Sequence, residues 1–184
     1  SSYAQAAAMA MGRAMDDVII AAATGTAYTG ETGSGTESAQ TAIAASVGTG
    51  TGLNITKLRT AKQLLDLADV DPSIPRHIVC GPEQITNLLG TTEVTSSDFN
   101  TIKALVHGEV DSFLGFKFTT STRLAKSGND RTVIAFAQDG ITLGIGKDIS
   151  ARIDERADKS YATQVYYCQS IGSTRMEQAK VVPI

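Results

Sequence analysis

Apolar residues recur along this chain in two rhythms, at three- and four-residue steps near the amino end and at two-residue steps near the carboxyl end. Over residues 3–23, Ala4, Ala7, Ala8, Met11, Ala14, Met15, Val18 and Ala22 form one helical stripe, predicting a helix about 30 Å long packed on several sides. Residues 24–52 are mostly Gly, Thr, Ser and Ala, the composition of a long pliable loop. A second amphipathic helix carries Leu58, Ala61, Leu64, Leu65 and Ala68, with Thr56 as its cap and Asp71-Pro72 beyond its end. The short apolar run 77–80 predicts a central strand. Pro82 then opens a short helix with Ile85, Leu88 and Leu89 on its inner face and Gly90 at its end. Another helix is expected after Ser97, with Phe99, Ile102, Leu105 and Val106 sharing a face and Gly108 closing it.

From there strands dominate. Residues 113–118 read as one strand with bulk on both faces, and 124–130 as a polar turn. Residues 133–137 read as a buried strand, and Gln138-Asp139-Gly140 as a turn that sends the chain back through 141–145. Tyr161, Thr163, Val165, Tyr167 and Ile171 fall on one face of a long strand, and Ala162, Gln164, Tyr166, Cys168 and Ser170 on the other. Gly172-Ser173 is the expected turn, 174–182 the returning strand, and a phase change near Glu177-Gln178 predicts a bulge. The class is α+β.

Composition narrows the functions. Of 184 residues, 42% are hydrophobic and 19% charged, enough for a folded core. Lys and Arg number 16 against 19 Asp and Glu, a net charge of -3 that supplies no basic field for gripping phosphates. Sequence-specific nucleic-acid binding is therefore not expected. Gln5, Arg13, Asp16 and Asp17 interrupt the first helix, so it is not read as a membrane span. Adjacent Asp16 and Asp17 project about 100° apart and cannot readily share a metal. Cys80 and Cys168 sit in apparent strands, as small buried hydrophobes do, and a reducing compartment suits them.

Enzyme templates find no match. The glycines of 30–52 lack the Walker Lys-Ser/Thr ending and the strand-then-helix setting of a dinucleotide site. His77 and His107 belong to no H-E-x-x-H pattern, no G-x-S-x-G elbow occurs, and nothing pairs Cys80 with a base. No cofactor, metal or catalytic residue is expected. What remains is a run of mixed sign, Arg152, Asp154, Glu155, Arg156, Asp158 and Lys159. Its default is a solvated face, but at a symmetry axis it would register neighbouring copies. With Arg175 and Glu177 these residues are the candidates for a subunit interface.

Several phrases carry a resemblance: Asp98-Phe99-Asn100-Thr101-Ile102-Lys103-Ala104-Leu105-Val106, Phe113-Leu114-Gly115-Phe116-Lys117-Phe118, and Gly172-Ser173-Thr174-Arg175-Met176-Glu177. Together with the order of an alanine-rich helix, a Gly and Thr loop, a mixed region and a long terminal hairpin, they resemble the major capsid proteins of tailed bacteriophages, of the Hong Kong 97 fold. The resemblance implies a peripheral domain built from 1–72 around a spine helix, an axial domain over 73–149, and a return to the peripheral domain over 150–184. It also implies homo-oligomers, hexamers and pentamers in an icosahedral shell around double-stranded DNA, with scaffold and portal as partners. The expected locations are the virion and, during assembly, the host cytoplasm. In that family an N-terminal arm and an extended loop precede the spine. Only Ser1-Ser2 precede it here, so the chain reads as a fragment without those lacing segments. An encapsulin-like nanocompartment shell and a soluble ligand-binding domain with residues 24–52 as its lid are the alternatives.

Overall fold

The computed structural model describes residues 2–48, 52–89, 112–128 and 130–184. The chain opens with helix α1 (Ser2–Thr24), followed by a small hairpin of β1 (Ala27–Thr29) and β2 (Gly35–Glu37). Helix α2 (Ile55–Leu67), strand β3 (Arg76–Cys80) and helix α3 (Pro82–Leu89) come next. Strands β4 (Ser112–Phe113), β5 (Phe116–Thr120), β6 (Lys126–Ser127), β7 (Asp130–Arg131) and β8 (Ile134–Ala137) follow. The chain closes with β9 (Ile141–Arg156), β10 (Ala162–Arg175) and β11 (Val181–Pro183).

Five strands in the order β11-β8-β3-β5-β4 make the main sheet, with β3 at its centre as its apolar run predicts. β3 and β5 are parallel, and the other pairs are antiparallel. One sheet face packs Ile78, Cys80, Phe116, Ala135, Ala137 and Val182 under Leu58, Ala61 and Leu65 of α2 and Leu88 of α3. The opposite face gathers Ile134, Val181 and Leu124 around Ala23 at the end of α1. Strand alternation explains why neighbours such as Ile78 and Val79 enter different clusters.

β9 and β10 form a separate antiparallel ribbon, with register shifts between Cys168 and Ile171. The chain turns between them through a 3-10 turn at Ala157–Lys159 and two left-handed residues, Ser160 (φ 53°) and Tyr161 (φ 58°). α1 runs along β10: the Tyr167 hydroxyl donates to the Ala4 carbonyl, and Arg175 donates to those of Ala22 and Ala23. The spans agree, since eighteen helical residues rise about 27 Å and eight strand residues about 26 Å.

Several expectations change. The hairpin turns at 157–161, not at Gly172-Ser173, because 162–175 finds its partner in 141–156. The turn 138–140 therefore does not return the chain beside β8, whose neighbours are β3 and β11. The bulge lies at 168–171, while Gln178–Lys180 is a 3-10 turn. Residues 113–118 are not one strand: Leu114 (φ 52°) and Gly115 (φ 85°) form a tight reversal between β4 and β5, a conformation glycine adopts without a Cβ clash. Asn54, not Thr56, caps α2, its side-chain oxygen accepting from the Lys57 N–H at 2.9 Å. The loop over 24–52 contains the β1–β2 hairpin, and the polar turn 124–130 contains the β6–β7 ladder above a buried Leu124. Ala4, Ala7, Met11, Met15, Val18 and Ala22 make the half-buried stripe of α1, but Ala8 and Ala14 are exposed, so the helix packs on one side. The expected helix after Ser97 lies outside the described residues.

Candidate functional site

Among the described residues no three metal-ligating side chains cluster, and the two cysteines are unpaired. Cys80 lies under α2 and α3, where burial pushes its thiol up to about 11, away from nucleophilic use. His77 stacks on Phe136 at 5.7 Å in the central strand, and burial followed by the nearby Lys117 charge holds it below its ordinary value, in the neutral form. No helix among the described residues is long and apolar enough to cross a membrane.

The largest candidate surface is the ribbon. Arg152, Asp154, Glu155, Arg156, Asp158 and Lys159 all stand exposed along β9 and its turn. Period-two geometry sends Arg152, Asp154 and Arg156 to one face and Ile153 and Glu155 to the other. The Arg156 Nε donates to Asp158 at 2.9 Å, and that hydrogen bond holds the Asp158 carboxyl below its usual value. Apolar side chains share this exposure: Ile153 is 66% exposed, Tyr161 72% and Tyr166 50%.

The other two candidates are held within the chain. Arg175 is only 3% exposed. Its guanidinium donates to the carbonyls of Ala22, Ala23, Gly25 and Glu37, satisfying the open carbonyls at the end of α1 and tying them to β2. It is an internal clamp, because the register of β10 turns it under the helix. Glu177 is exposed but paired, as Lys180 reaches both Glu177 at 3.1 Å and Asp139 at 2.6 Å.

Two anchors were not anticipated. Asp17, read only as a polar edge, forms a two-point ion pair with Arg123, whose Nε donates at 2.7 Å and which lowers the Asp17 carboxyl. Only residues 141–145 of β9 were anticipated, and its continuation to Arg156 was not, although Ile145, Ile149 and Ile153 recur along it and mark its length.

Comparison with known proteins places this architecture. The model of the phage capsid protein family matches residues 1–184. No curated protein matches the chain. Among solved structures, a chain of Mycobacterium phage Che8 is 20% identical with a TM-score of 0.67, covering 98% of this chain and 61% of its own. The capsid of cyanophage P-SCSP1u is 17% identical with a TM-score of 0.60, covering 97% and 64%. The capsid of cyanophage Pam1 is 14% identical with a TM-score of 0.66, covering 97% and 66%. This chain thus spans somewhat under two thirds of the length of the first structures it matches.

Proposed function

This chain belongs to the phage capsid protein family, and from that premise we propose that it is a structural, non-catalytic subunit whose copies associate into an icosahedral shell around double-stranded DNA. Hexamers and pentamers are the rings this reading implies, and its place is the virion, with the host cytoplasm as the site of assembly. The ribbon carries the argument: β9 and the outer half of β10 project polar and apolar side chains, Ile153 and Tyr166 among them, that the chain itself leaves exposed. The ribbon presents an extended surface suited to repeated contacts. The exposed run Arg152, Asp154, Glu155, Arg156, Asp158 and Lys159 is proposed as part of the contact between copies. Arg175 is not included, since it is buried and its two terminal guanidinium nitrogens donate to carbonyls at the end of α1 and in β2.

A net charge of -3 suits a wall that encloses DNA without gripping it. Residues 1–72 with 150–184 as a peripheral unit, and 73–149 as the axial one, remain the proposed division, together with scaffold and portal as assembly partners. Light scattering after size exclusion tests the reading. Rings or shells of many copies are expected, and a strict monomer at every concentration would overturn it.

A further inference from the structure

β9 is an open edge. It pairs with β10 on one side, and among the described residues nothing bonds to its other side. Alternate residues of this sixteen-residue strand point their N–H and C=O groups away from β10, and these form a template for another strand. α1 lies mainly against β10, where Tyr167 and Arg175 donate to its carbonyls.

We propose that β9 pairs, antiparallel, with the β9 of a second copy about a two-fold axis at Ile153, joining two ribbons into one four-stranded sheet. The proposal rests on the shell-building reading and names one of its contacts. The charge pattern selects the register. With Ile153 opposite its own copy, Arg152 faces Asp154 of the second chain and Asp154 faces Arg152, so two opposite-charge pairs flank the axis. Within the chain these residues stand across from neutral partners, Arg152 from Tyr166 and Asp154 from Gln164, and neither has an ion pair among the described residues.

Other registers lose these matches. Centring on Asp154 opposes Asp154 to itself and Arg152 to Arg156. Centring on Glu155 sets two carboxylates together and moves Ile153 past the strand end. A slip by one residue places Ile153 beside Asp154 or Arg152. The Ile153 register also aligns an apolar row with its charge pairs, since Val165 lies across from Ile153 in each chain and the sheet then reads Val165, Ile153, Ile153, Val165 across its four strands. Ile153 at 66% exposure gains cover there.

Directly opposed antiparallel residues bring Cα atoms to about 4.5–5.5 Å, within disulfide reach. In a Cys168→Ser background, Ile153→Cys is expected to form an intermolecular disulfide under mild oxidation, and Glu155→Cys is not. A mixture of Ala151→Cys and Glu155→Cys chains should form the mixed dimer. Arg152→Asp and Asp154→Arg should each weaken association about tenfold, and the two together in one chain should restore it. Particles that form without the Ile153→Cys crosslink, or with equal crosslinking of Glu155→Cys, overturn the pairing and leave the shell reading standing. A crosslinked dimer that never grows supports the pairing and removes the shell reading, whereas monomers that neither crosslink nor assemble remove both.

Discussion

The five-stranded body and the β9–β10 ribbon are made from the same chain by opposite means. In the body, Leu58, Leu65, Ile78 and Phe116 are fully buried between sheet and helices. In the ribbon, burial rises along β10 from exposed Ala162 to buried Arg175, following the reach of α1, and the outer half has little packing of its own. A lone two-stranded hairpin is marginal in water. The body is thus packed within one chain, while that chain leaves the outer ribbon exposed. That difference is what a shell subunit requires, a rigid centre with extensions stabilised by neighbours.

The sharpest test of the contrast is truncation on each side. Leu58→Ala or Ile78→Ala is expected to cost about 2–5 kcal/mol in denaturant unfolding of the isolated chain, through lost transfer energy and a residual cavity. Ile153→Ala should cost less than about 0.5 kcal/mol in the same measurement, as exposed positions do. Equal losses would erase the distinction.

Arg175 joins the two regions, so Arg175→Met is expected to cost about 3 kcal/mol by orphaning carbonyls of α1 and β2. Faster amide exchange at the end of α1 and in the β1–β2 hairpin should accompany the loss. A smaller loss of about 1 kcal/mol is expected for Asn54→Ala, which removes the cap of α2, read as a shift in thermal midpoint.

The cysteines separate the regions chemically. Burial raises the folded-state Cys80 thiol to about 11 from 9.0, so the unfolded chain loses its proton first, and stability is expected to fall as pH rises from 9 toward 11. Cys168 lies the other way, lowered first by hydrogen bonding with Lys147 and then with Tyr166. A thiol reagent near pH 8 should therefore label Cys168 in the folded chain and Cys80 only on unfolding. The smallest expected effect is at the Asp17–Arg123 pair on the surface. Its lowered carboxyl contributes at neutral pH and is lost as pH falls through its folded-state value, and Asp17→Asn should remove that acid dependence in a pH series of melts.

Local signals in the sequence led directly to the body. The run His77-Ile78-Val79-Cys80 is central because it is apolar on both faces, and Pro82 opens α3 because its fixed φ suits a first turn. The ribbon was harder to read, since pairing between residues 141–156 and 162–175 is a choice among strands that local pattern does not make. The charges of β9, proposed as part of a contact between copies, disguised it as a solvated run. Arg175 was misread for a related reason: an arginine next to exposed Met176 looks like surface until the register of β10 turns it beneath α1. Leu114-Gly115 held a signal that went unused, a glycine amid alternating apolar residues, which is how a tight reversal is written.

The most direct test of the central claim is hydrogen exchange across residues 141–175, compared between isolated chains and assembled particles. The account predicts that the amides of β9 exchange readily in the isolated chain and gain protection on assembly, while those of β3 and β8 are protected in both. Ribbon amides as protected as the body in the isolated chain, or unchanged in the particle, would contradict it.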